Sequence, residues 1–263
     1  MKKKLPVRLL AVVGAYVVLV ALISVGLLAA LHRFTPDPGP VREHVADQVP
    51  RQLQELSAPT QGQVKTEAVA PAAGSSSLVD PAWVARVAAV TGIPEPAVRA
   101  YGHATLRMAA EQPRCGLGWT TLAGIGQIES QHGTIDSRTL GEDGRSSREI
   151  YGPALNGTNG FAAIRATPES TRWHGDPQWD HAIGPMQFIP STWARWGADG
   201  DGDGTADPHD IDDAAWAAAR YLCADGRRLD SDAWGRAIFS YNHSADYVHA
   251  VHRAALTYAS RAS

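Results

Sequence analysis

Apolar positions in this chain recur every three to four residues over a series of separated stretches, and nowhere do they alternate over a long run. The pattern predicts a mainly α domain. Asp80 is placed to cap a helix whose first position is Pro81 and which carries Trp83, Val84, Val87 and Val90 on or near one face before Gly92 ends it. A second helix runs from Pro96 toward Glu111, before Pro113. A third begins near Gly118, carries Leu122, Ile125 and Ile128, and ends near Gly133. Helical spacing resumes at Pro190 to Trp196, Ile211 to Ala224, Ser231 to Tyr241 and Ala245 to Ser260.

One apolar stretch is of another kind. From Leu9 to Leu31 no charged residue occurs. At about 1.5 Å per residue, such a run is long enough to cross a hydrocarbon core of about 30 Å. A cleaved signal has an apolar core of only about 7–15 residues, so the length favours an uncleaved transmembrane helix. Lys2, Lys3, Lys4 and Arg8 precede it and only Arg33 follows closely, which orients the rest of the chain outside the cell membrane.

Two segments lack helical period. The first, 34–79, is rich in Pro, Ala, Gln and Ser and reads as a flexible tether, with a weak helix at Arg42 to Leu56 broken at Pro50. The second, 134–183, is rich in Gly, Asp and Thr and is too long for a routine connection, which marks it as functional, flexible or both. The expected organisation is a basic flank and membrane anchor at 1–33, a tether at 34–79 and one folded domain at 80–263.

The formal net charge is −3, and of the lysines only Lys65 lies outside the N-terminal flank. Nothing in this balance suggests nucleic-acid binding. Cys115 and Cys223 are the only cysteines, and in an exported domain, where the surroundings permit a disulfide, they are expected to pair.

Candidate chemistry begins on the third helix. At about 100° per residue, Trp119, Leu122, Ile125, Gly126 and Glu129 share one arc, so a carboxyl group sits in an apolar face. Loss of hydration raises the pKa of such a group and keeps it a proton donor near neutrality. Periodicity alone fits a buried structural acid paired with arginine equally well.

Other motifs accompany it. Gly184-Pro185-Met186-Gln187-Phe188-Ile189-Pro190-Ser191 combines a turn with an amide that both donates and accepts, which suits a sugar but also a simple helix-entry loop. Phe239-Ser240-Tyr241-Asn242-His243-Ser244, followed by Tyr247, places amphipathic rings at a helix junction. Asp199, Asp201, Asp203, Thr205, Asp207 and Asp210 fall at positions one, three, five, seven, nine and twelve of a loop with Gly204 at six, the spacing of an EF-hand-like calcium loop, although position twelve is Asp rather than Glu. Histidines 243, 249 and 252 lack the spacing of a helical zinc site, and no Gly-x-Ser-x-Gly elbow supports a serine hydrolase.

Taken together, Gly126-Gln127-Ile128-Glu129-Ser130, Gly184-Pro185-Met186-Gln187-Phe188, the aspartate loop and Tyr241-Asn242-His243-Ser244 resemble, in the same order, the membrane-bound lytic transglycosylase B family. The resemblance runs from about Trp83 to Ala255 and is closest to actinobacterial forms, with which the Ala- and Arg-rich, Lys-poor composition agrees. It implies a lysozyme-like fold, peptidoglycan glycan strands as substrate, Glu129 as the sole catalytic carboxylate with Ser130 beside it, and no organic cofactor. It further implies that Ser130, Gln187, Tyr241, Asn242 and Tyr247 line a saccharide cleft and that the aspartate loop holds a structural calcium ion. Two departures stand out: the family's aromatic residue shortly after the glutamate is replaced around His132, and the 134–183 segment differs from the best-known members. A hydrolytic muramidase would need a second acid, for which Asp136, Glu142 and Asp143 are the candidates. A non-catalytic peptidoglycan-binding scaffold and a calcium-dependent regulator are the readings from other classes.

Overall fold

The computed structural model describes residues 49–54, 56–59, 79–158, 161–230 and 233–263. The expected anchor at Leu9 to Leu31 and most of the expected tether lie outside the described residues, among which no helix is long and apolar enough to cross a membrane. The described part is mainly α, with helices α1 (Pro81–Thr91), α2 (Glu95–Glu111), α3 (Trp119–Ser130), α4 (Pro168–His174), α5 (Pro190–Trp196), α6 (Ile211–Leu222), α7 (Ala233–Tyr241) and α8 (Ala245–Arg261).

Local chemistry sets the helix ends. Asp80 accepts the Ala82 amide at 2.8 Å, Pro81 occupies the first helical position, and Gly92 closes α1 at φ 79°. Val90, expected on or near the apolar face, is 46% exposed. Trp83, Val84, Val87 and Thr91 are the buried residues of α1, a stripe that runs on through Thr91 and leaves Val90 at its edge toward solvent. In α3 every residue from Trp119 to Gly126 is buried, while Ile128 points outward at 39% exposure. This helix is the axis of the core, packed between α2 and α8, with α6 lying along α2.

Glycine makes the tightest contact possible. A Cβ on Gly124 would lie 2.8 Å from the Val251 carbonyl oxygen, so α8 approaches the backbone of α3 directly. Trp83 and Trp119 meet edge to face at 5.7 Å, and the Arg107 guanidinium covers the Trp216 ring at 4.2 Å. Cys115, before α3, is disulfide-bonded to Cys223, after α6, as expected.

Part of the expected tether belongs to the folded unit. Val49 and Leu53 are buried, Leu53 completely, and a single helical turn, Arg51–Gln54, lies against α7. Gly235 permits the approach, since a Cβ there would sit 1.7 Å from the Leu53 carbonyl oxygen. The compact unit therefore starts at Val49, not at Asp80.

The described residues of the 134–183 segment are ordered by isolated antiparallel bridges instead of strands: Leu140 with Ser146, Arg145 with Asp210, Tyr151 with Ile183 and Arg165 with Trp179. It also contains α4, which the helical period does not show. Thr167 and Ser170 form a reciprocal capping box, with Pro168 at the first position.

Candidate active site

Glu129 stands on the last turn of α3, where the chain leaves the helix through two consecutive residues in left-handed conformation, Gln131 at φ 53° and His132 at φ 60°. Such residues cost about 1–3 kcal/mol each and persist only where neighbours hold them. The His132 amide donates to the Gly126 carbonyl at 2.9 Å. Ser130 Oγ accepts the Gly133 amide at 2.8 Å and donates to the Pro185 carbonyl at 2.6 Å.

The Glu129 carboxyl is half-buried, with protein packed round it on nearly every side and one face open to a cavity of about 520 Å³. Tyr247 of α8 donates to Oε1 across 2.5 Å. Burial raises the carboxyl pKa to about 7, and the Tyr247 hydrogen bond offsets part of that rise by favouring the ionised form. The group is therefore a proton donor at or below neutrality and a base after ionisation.

Four regions build the cavity walls. Gln187, Phe188 and Ile189 come from the Gly184 motif, Tyr241, Asn242 and His243 from the end of α7, and Tyr221 from α6. The irregular segment adds Pro153, Leu155, Phe161 and Ala182. Gln187 is held in left-handed conformation at φ 50° while its side-chain nitrogen donates to the Gly184 carbonyl at 2.9 Å. Gly184 must be glycine: φ is 75° and a Cβ would lie 1.7 Å from the Pro208 carbonyl oxygen. Tyr241 donates to the Met186 carbonyl at 2.8 Å, joining α7 to that turn.

The structure thus brings Glu129, Gln187, Tyr241 and Asn242 round one cavity. It moves two expected cleft residues elsewhere. Ser130 is fully buried with both its hydrogen bonds to backbone, so it ties α3 to the Gly184 turn. Tyr247 stands behind Glu129, not on the cavity wall, because α8 presents it to the carboxyl from the protein side. Among the described residues lining this cavity Glu129 is the only carboxylic acid. Asp136 pairs with Arg138 at 3.1 Å, and Glu142, paired with Arg99 at 3.4 Å, lines a different cavity together with Asp143.

The aspartate loop differs from the expected twelve-residue pattern. Asp199, Asp201 and Asp213 can each direct an oxygen to one point, these atoms lying within 4.8 Å of one another. Asp210 instead caps α6 by accepting the Asp212 amide at 2.8 Å, and Asp207 pairs with Arg145 at 2.7 Å. Asp203 and Thr205 are engaged with each other, the Asp203 carboxylate accepting the Thr205 amide at 2.7 Å. Because α6 begins at Ile211, the acid that turns back toward the loop is Asp213, fifteenth counting from Asp199. Burial and the carboxylates of Asp210 and Asp201 raise the Asp213 pKa to about 7. Hard oxygen donors converging at a partly buried, mutually repelling cluster fit a calcium ion.

Position in sequence gave no sign of the buried polar partners of α3. Tyr101, His132 and Tyr258 form a chain of hydrogen bonds that ends on Gln127. Gly126, a glycine within the apolar arc of α3, is the one available signal.

No curated protein matches the chain by sequence. Among solved structures, the Escherichia coli lytic transglycosylase Slt35 in complex with bulgecin A is 17% identical, covering 68% of this chain and 78% of that chain with a TM-score of 0.36. The same Escherichia coli protein in complex with calcium is 18% identical at the same coverage and TM-score. Residues 171–238, which hold the Gly184 turn, the aspartate loop and α6, match the model of the transglycosylase SLT domain.

Proposed function

We propose that this protein is a peptidoglycan lytic transglycosylase of the membrane-bound B type in which Glu129 serves first as acid and then as base. One observation carries the reading: Glu129, with its pKa raised to about 7, is the single carboxylic acid among the described residues of a cavity otherwise walled by aromatic, amide, hydroxyl and aliphatic side chains. The SLT domain match supports the same substrate class.

In the proposed reaction the protonated Glu129 delivers its proton to the glycosidic oxygen between N-acetylmuramic acid and N-acetylglucosamine, and the bond from the muramic anomeric carbon to that oxygen breaks. The 2-acetamido group of the substrate supports the positive centre. The ionised Glu129 then takes the proton of the muramic C6 hydroxyl, whose oxygen bonds to the anomeric carbon. The product is a 1,6-anhydromuramoyl end, no water is consumed, and Glu129 returns to its protonated state. Gln187, Tyr241 and Asn242 would orient the sugars, and Ser130 and Tyr247 act from behind the cavity wall. A calcium ion held by Asp199, Asp201 and Asp213 would brace the loop between α5 and α6 and takes no part in these steps.

The apolar run from Leu9 to Leu31 supports a single-pass anchor with the catalytic unit on the outer side of the cell membrane. Digestion of purified sacculi by the full chain and by Glu129→Gln, read by mass spectrometry, tests the function. Anhydromuropeptides from the wild type and none from the variant are expected. Reducing muramic ends would instead establish hydrolysis, and retained binding without any cleavage would establish a scaffold.

A further inference from the structure

The last turn of α3 is gripped by a buried chain of hydrogen bonds that leads away from the cavity. Tyr258 Oη donates to the Gln127 side-chain oxygen at 2.7 Å. The same hydroxyl lies 2.8 Å from His132 Nε2, and since its proton is committed to Gln127 it accepts there. His132 therefore carries its ring proton on Nε2, and Nδ1 accepts from Tyr101 Oη at 3.0 Å. Burial holds the His132 pKa down at about 3, so the ring is neutral and the chain has one direction, from Tyr101 through His132 and Tyr258 to Gln127.

The chain occupies the place where α3 is least protected by its own side chains. A Cβ on Gly126 would lie 2.0 Å from the Tyr101 hydroxyl oxygen, so that hydroxyl fills the space a side chain would take. On α8, Tyr247 and Tyr258 are three turns apart and within about 20° of one another round the helix. Val251 and Ala255 of the same stripe press on Gly124. One stripe of α8 thus carries the hydroxyl that donates to Glu129 at one end and the hydroxyl tied to Gln127 and His132 at the other.

From this geometry we infer that Tyr101, His132 and Tyr258 are positioning residues which lock α8 on α3 in the register that sets the Tyr247 hydroxyl on Glu129. The inference rests on the reading of Glu129 as the acid, and adds to it side chains outside the cavity that act through Tyr247. The titratable groups facing Glu129 are Tyr247 from α8 and Tyr241 from α7, both kept protonated by burial, which pushes their pKa values well up. His243 lines the same cavity. Loss of the Tyr247 hydrogen bond removes support for the ionised carboxylate and raises the Glu129 pKa.

The test follows the Glu129 carboxyl by carbon-13 NMR, together with the pH profile of sacculus cleavage, in the purified full chain. Tyr247→Phe and Tyr258→Phe should each move the Glu129 titration and the alkaline limb of activity upward, by roughly half a unit to one unit. The double variant should move them no further than Tyr247→Phe alone, because the second hydroxyl works through the first. Tyr101→Phe, which keeps the ring and the His132 to Tyr258 bond, should give a smaller shift in the same direction and serves equally if Tyr258→Phe does not fold. A Glu129 titration unmoved in folded Tyr258→Phe or Tyr101→Phe, or shifts that sum in the double variant, would overturn the inference. Cleavage by Glu129→Gln would remove the catalytic reading while leaving the NMR result to stand or fall separately.

Discussion

Ser130 donates a hydrogen bond to the backbone carbonyl of Pro185 at 2.6 Å, joining residues 55 positions apart in sequence. The turn that follows Glu129 and the turn that presents Gln187 are thereby one mechanical unit. Ser130→Ala strands the buried Pro185 carbonyl and Gly133 amide together, and at about 1–3 kcal/mol for each unmet buried partner the two cost roughly 2–6 kcal/mol. Denaturant unfolding of the variant should show a loss in that range. Cleavage should fall with it through displacement of Gln187, with fold and disulfide intact.

Glu129 links activity and stability to pH in a defined sense. Its folded pKa of about 7 lies above the ordinary carboxyl value of 4.5, so between those values the native state binds more protons than the unfolded chain. Stability is therefore lost as pH rises through that window and stays lowered above it. Glu129→Gln has no such penalty. Relative to wild type it should gain progressively from pH 4 to pH 8, on the order of 3 kcal/mol at the plateau. Melting curves at several pH values check this, and a constant difference would mean that the carboxyl is not shifted.

Asp213 and Asp210 are separable by calcium. Millimolar calcium should raise the melting temperature of the wild type by binding the native state alone. Asp213→Asn should abolish that increment, because Asp213 is one of the three acids that converge. Asp210→Asn alters the cap of α6, a change costing at most about 1 kcal/mol with and without calcium, and should keep the increment.

The folded unit should depend on residues before Asp80. Leu53 is completely buried against α7, and Leu→Ala at such sites costs about 2–5 kcal/mol. Leu53→Ala should show this loss in denaturant unfolding. A chain starting at Asp80 should melt lower than one starting at Val49, and equal melting would mean that the contact contributes nothing.

Where sequence and structure agree, the information is local. Asp80, Pro81 and Gly92 delimit α1 through contacts within one turn, and Pro190 likewise opens Pro190–Trp196 at its first position, there without a side-chain cap. The arc that placed Glu129 among apolar residues depends only on helical period. What sequence left out depends on distant partners. Tyr151 finds Ile183 and Arg145 finds Asp210 across tens of residues, so the 134–183 segment carries no period to read. Thr167 and Ser170 did offer a local signal for α4, the capping box, which the lack of apolar repeat obscured. Asp213 was hidden because twelve-residue spacing stops at Asp210, where the helix cap begins. Tyr101 and Tyr258 read as ordinary helix-face aromatics until His132, at φ 60°, is found between them.

The Cys115 to Cys223 bond encloses α3, the irregular wall of the cavity, the Gly184 turn and the aspartate loop in one covalent ring, and leaves α7 and α8 outside it. A protease that clips the chain once anywhere within that ring releases nothing, since both fragments stay joined through sulfur. Glu129 and Gln187 remain on one molecule even when the backbone between them is cut. In surroundings where peptide bonds are regularly broken, the protein would wear by nicking at its long exposed segment without falling into pieces, and only a cut combined with a reductant would separate Glu129 from the turn that faces it.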